Sequence, residues 1–340
     1  MKFVEYIWLE GSGSDRIVRS RSRLLPLIDA NPRLEDFPVW SLASASVVQL
    51  PDDAQGALLL PVCHARDPLR DGDHHLVLCE VFGSDGREHA SNTRAELRAV
   101  LDAGARRQQV WMAFDQPCSL RWIDDESNSA GALQGCDPVG PRGLSAHDVA
   151  ELHARQCLQA GLSFCGIEAA AEPWQWQFSI GPRNHRRDEP PMIQAADQLW
   201  LARHLLQRIA ADAGAIVHFG SWQGRSRGSI HGSLRTRFST AATRGQGGPR
   251  AVAAALDRLQ ARRDEHLRVY GCAVSRREHD GELRADGVHA GATGQIEELR
   301  ARGDADPYRV AARISATVLD IADELMSFDP PSPRSLAAVA

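Results

Sequence analysis

The chain has 340 residues, 43% hydrophobic and 24% charged, with a formal net charge of -5. This is a core-forming composition with room for one large domain or two ordinary ones, and it excludes a disordered chain. The acidic balance argues against a nucleic-acid binder that works by neutralising phosphates.

Tyr6-Ile7-Trp8-Leu9 reads as a short strand ended by Glu10-Gly11-Ser12-Gly13. Leu58–Cys63 is a second strand, and Leu76–Phe82 is the clearest, closed by the turn signal Gly83-Ser84-Asp85-Gly86. From Asn92 the pattern turns helical to about Ala103. Val110–Phe114 reads as a strand. Ser145 with Asp148 forms a capping-box start for a helix that runs to a C′ glycine at Gly161. Trp176–Ile180 and Ala215–Phe219 are strands on either side of a helix with Ala195, Leu199, Ala202, Leu206 and Ile209 on one face. Pro249 opens a helix that repeats Val252, Leu256, Leu259 and Leu267. Asp306 and Pro307 cap and open the last helix, with Val310, Ile314, Ile321 and Leu325 on one face. Pro330-Pro331-Ser332-Pro333 begins an extended tail.

Lys2 is the single lysine, and every other cation of that kind is arginine. P-loop, kinase-type and Schiff-base lysine chemistry therefore has nothing else to draw on. The longest apolar stretch, near Ala57–Cys63, falls far short of a membrane span. Glu5 stands where a signal peptide would have its apolar core. Seven cysteines (Cys63, Cys79, Cys118, Cys136, Cys157, Cys165, Cys272) lack any C-x-x-C pair, which suits reduced thiols in a cytoplasmic setting.

Several segments together resemble the type II (eukaryotic-type) glutamine synthetases. They are Tyr6–Gly11, Arg66-Asp67-Pro68-Leu69-Arg70, Leu76–Phe82, Asn92-Thr93-Arg94, the Pro173…Gln175-Trp176…Phe178…Gly181-Pro182 segment, Asp197–Arg203, Phe238-Ser239-Thr240 and Asp306-Pro307-Tyr308. The resemblance spans nearly the whole chain. It implies an α+β glutamine synthetase fold: a small N-terminal β-grasp domain over 1–92, a large α/β catalytic-type domain over 93–329 and a mobile tail over 330–340. It implies a homo-oligomer of two stacked pentameric rings, a decamer, with active sites between adjacent subunits. The family reaction joins glutamate and ammonia through a γ-glutamyl phosphate made from ATP.

That chemistry needs divalent metals, which neutralise the anions being brought together and hold their oxygens in line. The family holds them with carboxylates and one histidine. Its E-Q-E is Asp115-Gln116-Pro117 here. In its N-G-E-x-x-P-x-Q-W-E both ligand glutamates are replaced, by Ala170 and Gln177, with Glu172 two residues from the first position. The histidine of H-T-N-F-S-T is Arg235 and its asparagine is Arg237; a guanidinium stays protonated and ligates no metal. In the ammonia-site motif D-G-S-S the aspartate becomes Ala43. The closing-loop glutamate falls at Leu283 beside Glu282, the arginine-rich stretch beyond it has no counterpart in His289–Leu299, and a metal glutamate of the family falls at Glu297. The resemblance thus implies no divalent metal at the usual positions.

Other pocket positions persist. Trp111, Pro182, Ser239 and Arg244 fall where the family contacts nucleotide, and Arg277 where it contacts the glutamate side; packing is the alternative for Trp111 and Pro182, and a surface role for Arg244. ATP is the one cofactor left open. Arg235 and Arg237 make the old metal site more positive, so they either hold an anion or, after drift, pair with Asp115. His218, grouped with Cys165, Glu168, Glu172 and His231, is the candidate for new acid–base chemistry. Gly224–Gly228 matches G-x-S-x-G without the strand-to-helix context the hydrolase elbow needs, and His74-His75 reads as an exposed turn. The expectation is a glutamine synthetase-like pseudoenzyme acting as a regulatory or structural partner, in mixed assembly with an active glutamine synthetase. The alternatives are a repurposed enzyme of a specialised biosynthetic pathway, forming an amide or amine without metal, and a sensor without turnover. Neither nucleic acid nor membrane is an expected partner.

Overall fold

A computed structural model describes residues 1–11, 16–26, 29, 31–42, 56–123, 140, 142–170, 174–181, 192–220, 232–271 and 287–321. The first sheet has five strands: β1 (Lys2–Glu10), β2 (Ile17–Leu25), β3 (Trp40–Leu42), β4 (Ala57–Arg66) and β5 (His75–Gly83), in the order β2-β1-β5-β4-β3. β1 runs antiparallel to β2 and parallel to β5. Both faces of β1 and β5 are covered, which is why these strands read as nearly continuous apolar runs. Val4, Tyr6, Trp8, Val77 and Cys79 enter a small outer core, whereas Ile7, Leu9, Leu76 and Leu78 join the main core of the molecule. β2, absent from the sequence reading, is the edge strand, and its Arg-Ser alternation gives no apolar signal. Arg23 of β2 lies over the rings of Tyr6 and Trp40, at 5.1 Å from each centroid, so its neighbours on the sheet hold it in place.

Asn92 caps α1 (Thr93–Asp102) by accepting from the Ala95 amide. The chain then enters the second sheet through β6 (Trp111–Trp122), much longer than the strand predicted over Val110–Phe114. The proline at 117 hid its length, because proline is rarely found inside a central strand. Here β10 (Arg235–Ser239) flanks β6 as far as Asp115, and β9 (Ala215–His218) begins at Ser119. Pro117 falls in the gap between them. The sheet is completed by β7 (Phe164–Ala169), β8 (Gln175–Ile180), β11 (Val288–Ala290) and β12 (Ile296–Glu298), in the order β11-β12-β10-β6-β8-β7.

One face of this sheet packs against helices. α2 (Ala146–Gln159) starts with the Ser145–Asp148 capping box and ends before Gly161, whose φ of 81° meets the C′ requirement. α3 (Met192–Ala213) is buried nearly all round, more than the one-sided stripe in its sequence suggests. Beyond β10 lies the short α4 (Ala241–Arg244). The helix opened by Pro249 breaks at Arg262 into α5 (Gly248–Ala261) and α6 (Arg263–Val269), so Leu267 belongs to a separate element. α7 (Pro307–Leu319) starts at Asp306 and Pro307 as predicted, but stops at Asp320 in the left-handed conformation, leaving Ile321 beyond it. The tail over 330–340 lies outside the described residues. Among those residues no helix is long and apolar enough to cross a membrane.

A polar seam runs between the first sheet, α1, α3 and α7. Arg94 donates to both oxygens of Asp197 at 2.8 and 3.0 Å and to Glu80 at 2.9 Å. Tyr308 donates to Asp197 at 2.5 Å, Asn92 and Arg98 reach Glu80, and Asp306 accepts from Thr93 at 2.6 Å. Behind β6, the buried Arg203 donates to Gln116 Oε1 and to the carbonyls of Gly303 and Ala305. Burial of this guanidinium pulls its pKa down to about 10.

Candidate functional site

Strand alternation sorts the second sheet into a packed face and a polar face. Met112, Phe114, Cys118 and Leu120 of β6 point into the helical core. Trp111, Ala113, Asp115, Pro117 and Ser119 take the opposite face. By cross-strand register that face also carries Ser179 and Gln177 of β8, Arg235, Arg237 and Ser239 of β10, Glu297 of β12 and His218 of β9. Ala113, Ser119 and Ser179 apart, these are positions that sequence reasoning placed around one pocket.

Along β6 they fall into three groups. At one end, Arg244 stacks over the Trp111 ring at 3.7 Å from its centroid, donates to Ser239 Oγ at 2.8 Å and donates to the Gln109 carbonyl at 2.7 Å. Trp111, Ser239 and Arg244 therefore form one contacting cluster, with the guanidinium held over the indole. In the centre, the buried Asp115 accepts from Ser179 Oγ at 2.5 Å and from Arg237 Nη2 at 2.6 Å, both on Oδ1. Arg235 Nε lies 4.0 Å from Oδ2. At the other end, His218 faces Ser119 across β9 and β6. Burial, then the charge of Arg121, lowers its pKa. Four residues separate Ser119 from Asp115, about 13 Å along the strand, so His218 does not share the centre with Asp115.

Of the other acid–base candidates, the two that are described, Glu168 and Cys165, lie on the edge strand β7 and not beside His218. Glu168 on the edge strand β7 is exposed and accepts from Gln177 at 3.2 Å. Cys165 donates to the Gly181 carbonyl beside the bulge between Phe164 and Gly166. Glu172, His231, Glu282 and Arg277 lie outside the described residues, as do Ala43 and Pro182.

The residues in the centre do not fit a divalent metal. A hard cation needs several oxygen donors with negative charge. Here the one carboxylate of β6 already accepts two hydrogen bonds on one oxygen and faces two guanidiniums, and the side chains beside it are Pro117, Gln177 and Arg235. Among the described residues no group of three or more His, Cys, Asp or Glu could hold a metal ion. Sequence reasoning left Arg235 either holding an anion or pairing with Asp115; Arg237 makes the close contact with that acid, and Ser179 is a partner it missed. The register Asp115↔Ser179 and Arg235↔Asp115 depends on strand pairing that no local motif specifies. In the other direction, conspicuous motif residues (Arg94, Asp197, Arg203, Asp306, Tyr308) belong to the structural seam and the buried cluster behind β6.

The chain matches no established family profile. It is 32% identical over 353 residues to a glutamine synthetase of Neurospora crassa, covering 94% of this chain and 92% of the relative. It is 30% identical over 346 residues to a glutamine synthetase of Emericella nidulans, covering 92% and 91%. It is also 30% identical to the mitochondrial glutamine synthetase 1 of Drosophila melanogaster, covering 92% and 83%. Among solved structures, apo GmaS without ligand superposes with a TM-score of 0.70 at 17% identity, covering 98% of this chain and 80% of that one. A GmaS/ADP complex gives 0.66 at 16% identity, covering 99% and 82%. Both structural likenesses concern the fold.

Proposed function

The chain belongs to the glutamine synthetase family, and on that premise we propose that it has left the metal-dependent ligase chemistry and acts as a pseudoenzyme, a regulatory or structural partner. The observation that carries this reading is the centre of the polar face. Asp115 is closed by Arg237 and Ser179, at the position where the family holds its metal. Without the metal, the phosphoryl acceptor and the transferred phosphoryl group would meet as unneutralised anions.

The partner we infer is a ring assembly, as a homo-oligomeric decamer or mixed with an active glutamine synthetase in the cytoplasm. A site shared between adjacent subunits lets an inactive subunit tune its neighbour. The five described cysteines are all free, in keeping with a reducing compartment. ATP binding stands as a separate proposal on the Trp111–Ser239–Arg244 cluster, which keeps its family residues in mutual contact; the solved GmaS/ADP complex is a protein of this fold with a nucleoside diphosphate.

The curated relatives are named for ordinary activity, so the deciding experiment is turnover. Purified protein is given glutamate, ammonia, ATP and magnesium, and ADP and glutamine are measured. No glutamine above the no-enzyme blank is expected; sustained magnesium-dependent glutamine formation would overturn the reading. Co-expression with an active glutamine synthetase, followed by native mass spectrometry, should give mixed oligomers. Exclusively separate species would remove the partner role and leave the repurposed enzyme as the alternative to pursue with a panel of amines and acids.

A further inference from the structure

We propose that Arg235 and Arg237 form a metal-free oxyanion site on the polar face, taking a phosphoryl or carboxylate group between their two guanidiniums. The inference rests on the proposed loss of metal ligation and assigns the same centre a ligand. The two arginines are residues i and i+2 of β10, so they share a face with Cα atoms about 7 Å apart, a span that one oxyanion can bridge.

Charge and geometry both leave capacity there. Asp115 is the one acid in ion-pair contact with either arginine among the described residues, and it cancels one of the two positive charges. Its Oδ1 is already filled by Ser179 and by Arg237 Nη2. Arg237 Nε is buried without a hydrogen-bond partner, a donor lacking its acceptor. Arg235 touches Asp115 only through the 4.0 Å contact of Nε to Oδ2, beyond hydrogen-bond range, and its side chain is 36% exposed. A drifted pair of arginines consumed by Asp115 would show both guanidiniums bonded to it; one is. Glu297 lies opposite Arg237 across β12 by register and makes no ion pair with either arginine among the described residues. Guanidinium forks match the planar oxygens of carboxylates and the oxygens of phosphates and stay charged at any working pH.

The test is calorimetric titration of the full chain in EDTA with inorganic phosphate in one arm and acetate in the other. Saturable binding of at least one anion is expected, and the arm that binds names the source. Arg235→Ala should weaken it at least tenfold, Arg235→Lys less, and Arg87→Ala, on an exposed turn, should leave it unchanged. Asp115→Asn should tighten it several-fold, because it removes the competing acid; a structural role for the arginines predicts no such gain. Circular dichroism confirms that each variant is folded. Binding of neither anion, equal binding by folded Arg235→Ala, no gain in folded Asp115→Asn, or binding that requires magnesium would overturn the site. Magnesium-dependent glutamine formation alongside EDTA-resistant anion binding would sink the pseudoenzyme reading and leave the site standing. The absence of both would do the reverse.

Discussion

Two of the arginine–carboxylate sets in this molecule differ in how completely they are closed. At the seam between the sheets, Asp197 accepts from both nitrogens of the Arg94 fork and from Tyr308. Glu80 accepts from Arg94, Arg98 and Asn92. On the polar face, Asp115 has one full ion pair and one long contact, and a buried guanidinium N–H is left over. A fully satisfied buried network rigidifies and specifies a fold, whereas a buried donor without a partner calls for an explanation of its own. The seam therefore serves the scaffold, and the polar face is where the proposed loss of metal ligands would show.

The comparison breaks first at the seam. Asp197→Ala strands the Arg94 fork and the buried Tyr308 hydroxyl, and should cost about 3–5 kcal/mol, the range for removing one partner of a buried pair. Urea unfolding should show a sharp fall in midpoint or no soluble folded protein. A loss below about 1 kcal/mol would mean that the seam is not a closed network.

Acid should act next, on histidines of the helical side. His153 Nε2 donates to the Ala202 carbonyl of α3 inside the core, and burial pulls its pKa from 6.5 to about 4; His266, between Tyr270 and Thr317, is pulled to about 3. Both native pKa values lie below the unfolded value. The unfolded chain therefore takes up protons first, and stability present above pH 6.5 is lost as the pH falls from there towards 4 and 3. Each fully realised shift is worth on the order of 3 kcal/mol. Thermal unfolding between pH 7 and pH 4 should show the decline, and His266→Gln should flatten it; an unchanged slope would place the acid sensitivity elsewhere.

How much of this was legible in the sequence follows the same division. Helix ends were legible because Ser145-Asp148, Gly161 and Asp306-Pro307 carry their own chemistry. The family fold was legible because the seam residues form local motifs. β2 was not, since Arg-Ser alternation on an edge strand has no apolar period, and the full length of β6 was not, since Pro117 is tolerated only through a gap in its flanks. At the candidate site, the resemblance let each expected ligand position be read residue by residue. Which arginine meets Asp115, and the role of Ser179, depended on strand register, which is set by tertiary packing.

The polar face should respond more weakly than the seam. Arg237→Ala removes the close partner of a buried carboxylate but leaves Ser179 and the long contact to Arg235. A loss of roughly 1–2 kcal/mol is expected, and a double-mutant cycle with Asp115→Asn should return a coupling of about 1 kcal/mol. A coupling near zero would mean that the pair is not formed in solution. Smallest of all, Glu168→Ala on the exposed edge should stay within about 0.5 kcal/mol of the parent; a larger loss, read by the same unfolding curve, would give that acid a structural role.

The account turns on whether the polar face has exchanged metals for arginines, and a titration of manganese into the purified protein, followed by the disappearance of the free-ion paramagnetic resonance signal, tests that most directly. The account predicts no stoichiometric uptake, with or without ATP beyond what ATP itself chelates. Saturable uptake by the protein that Asp115→Asn abolishes would contradict it.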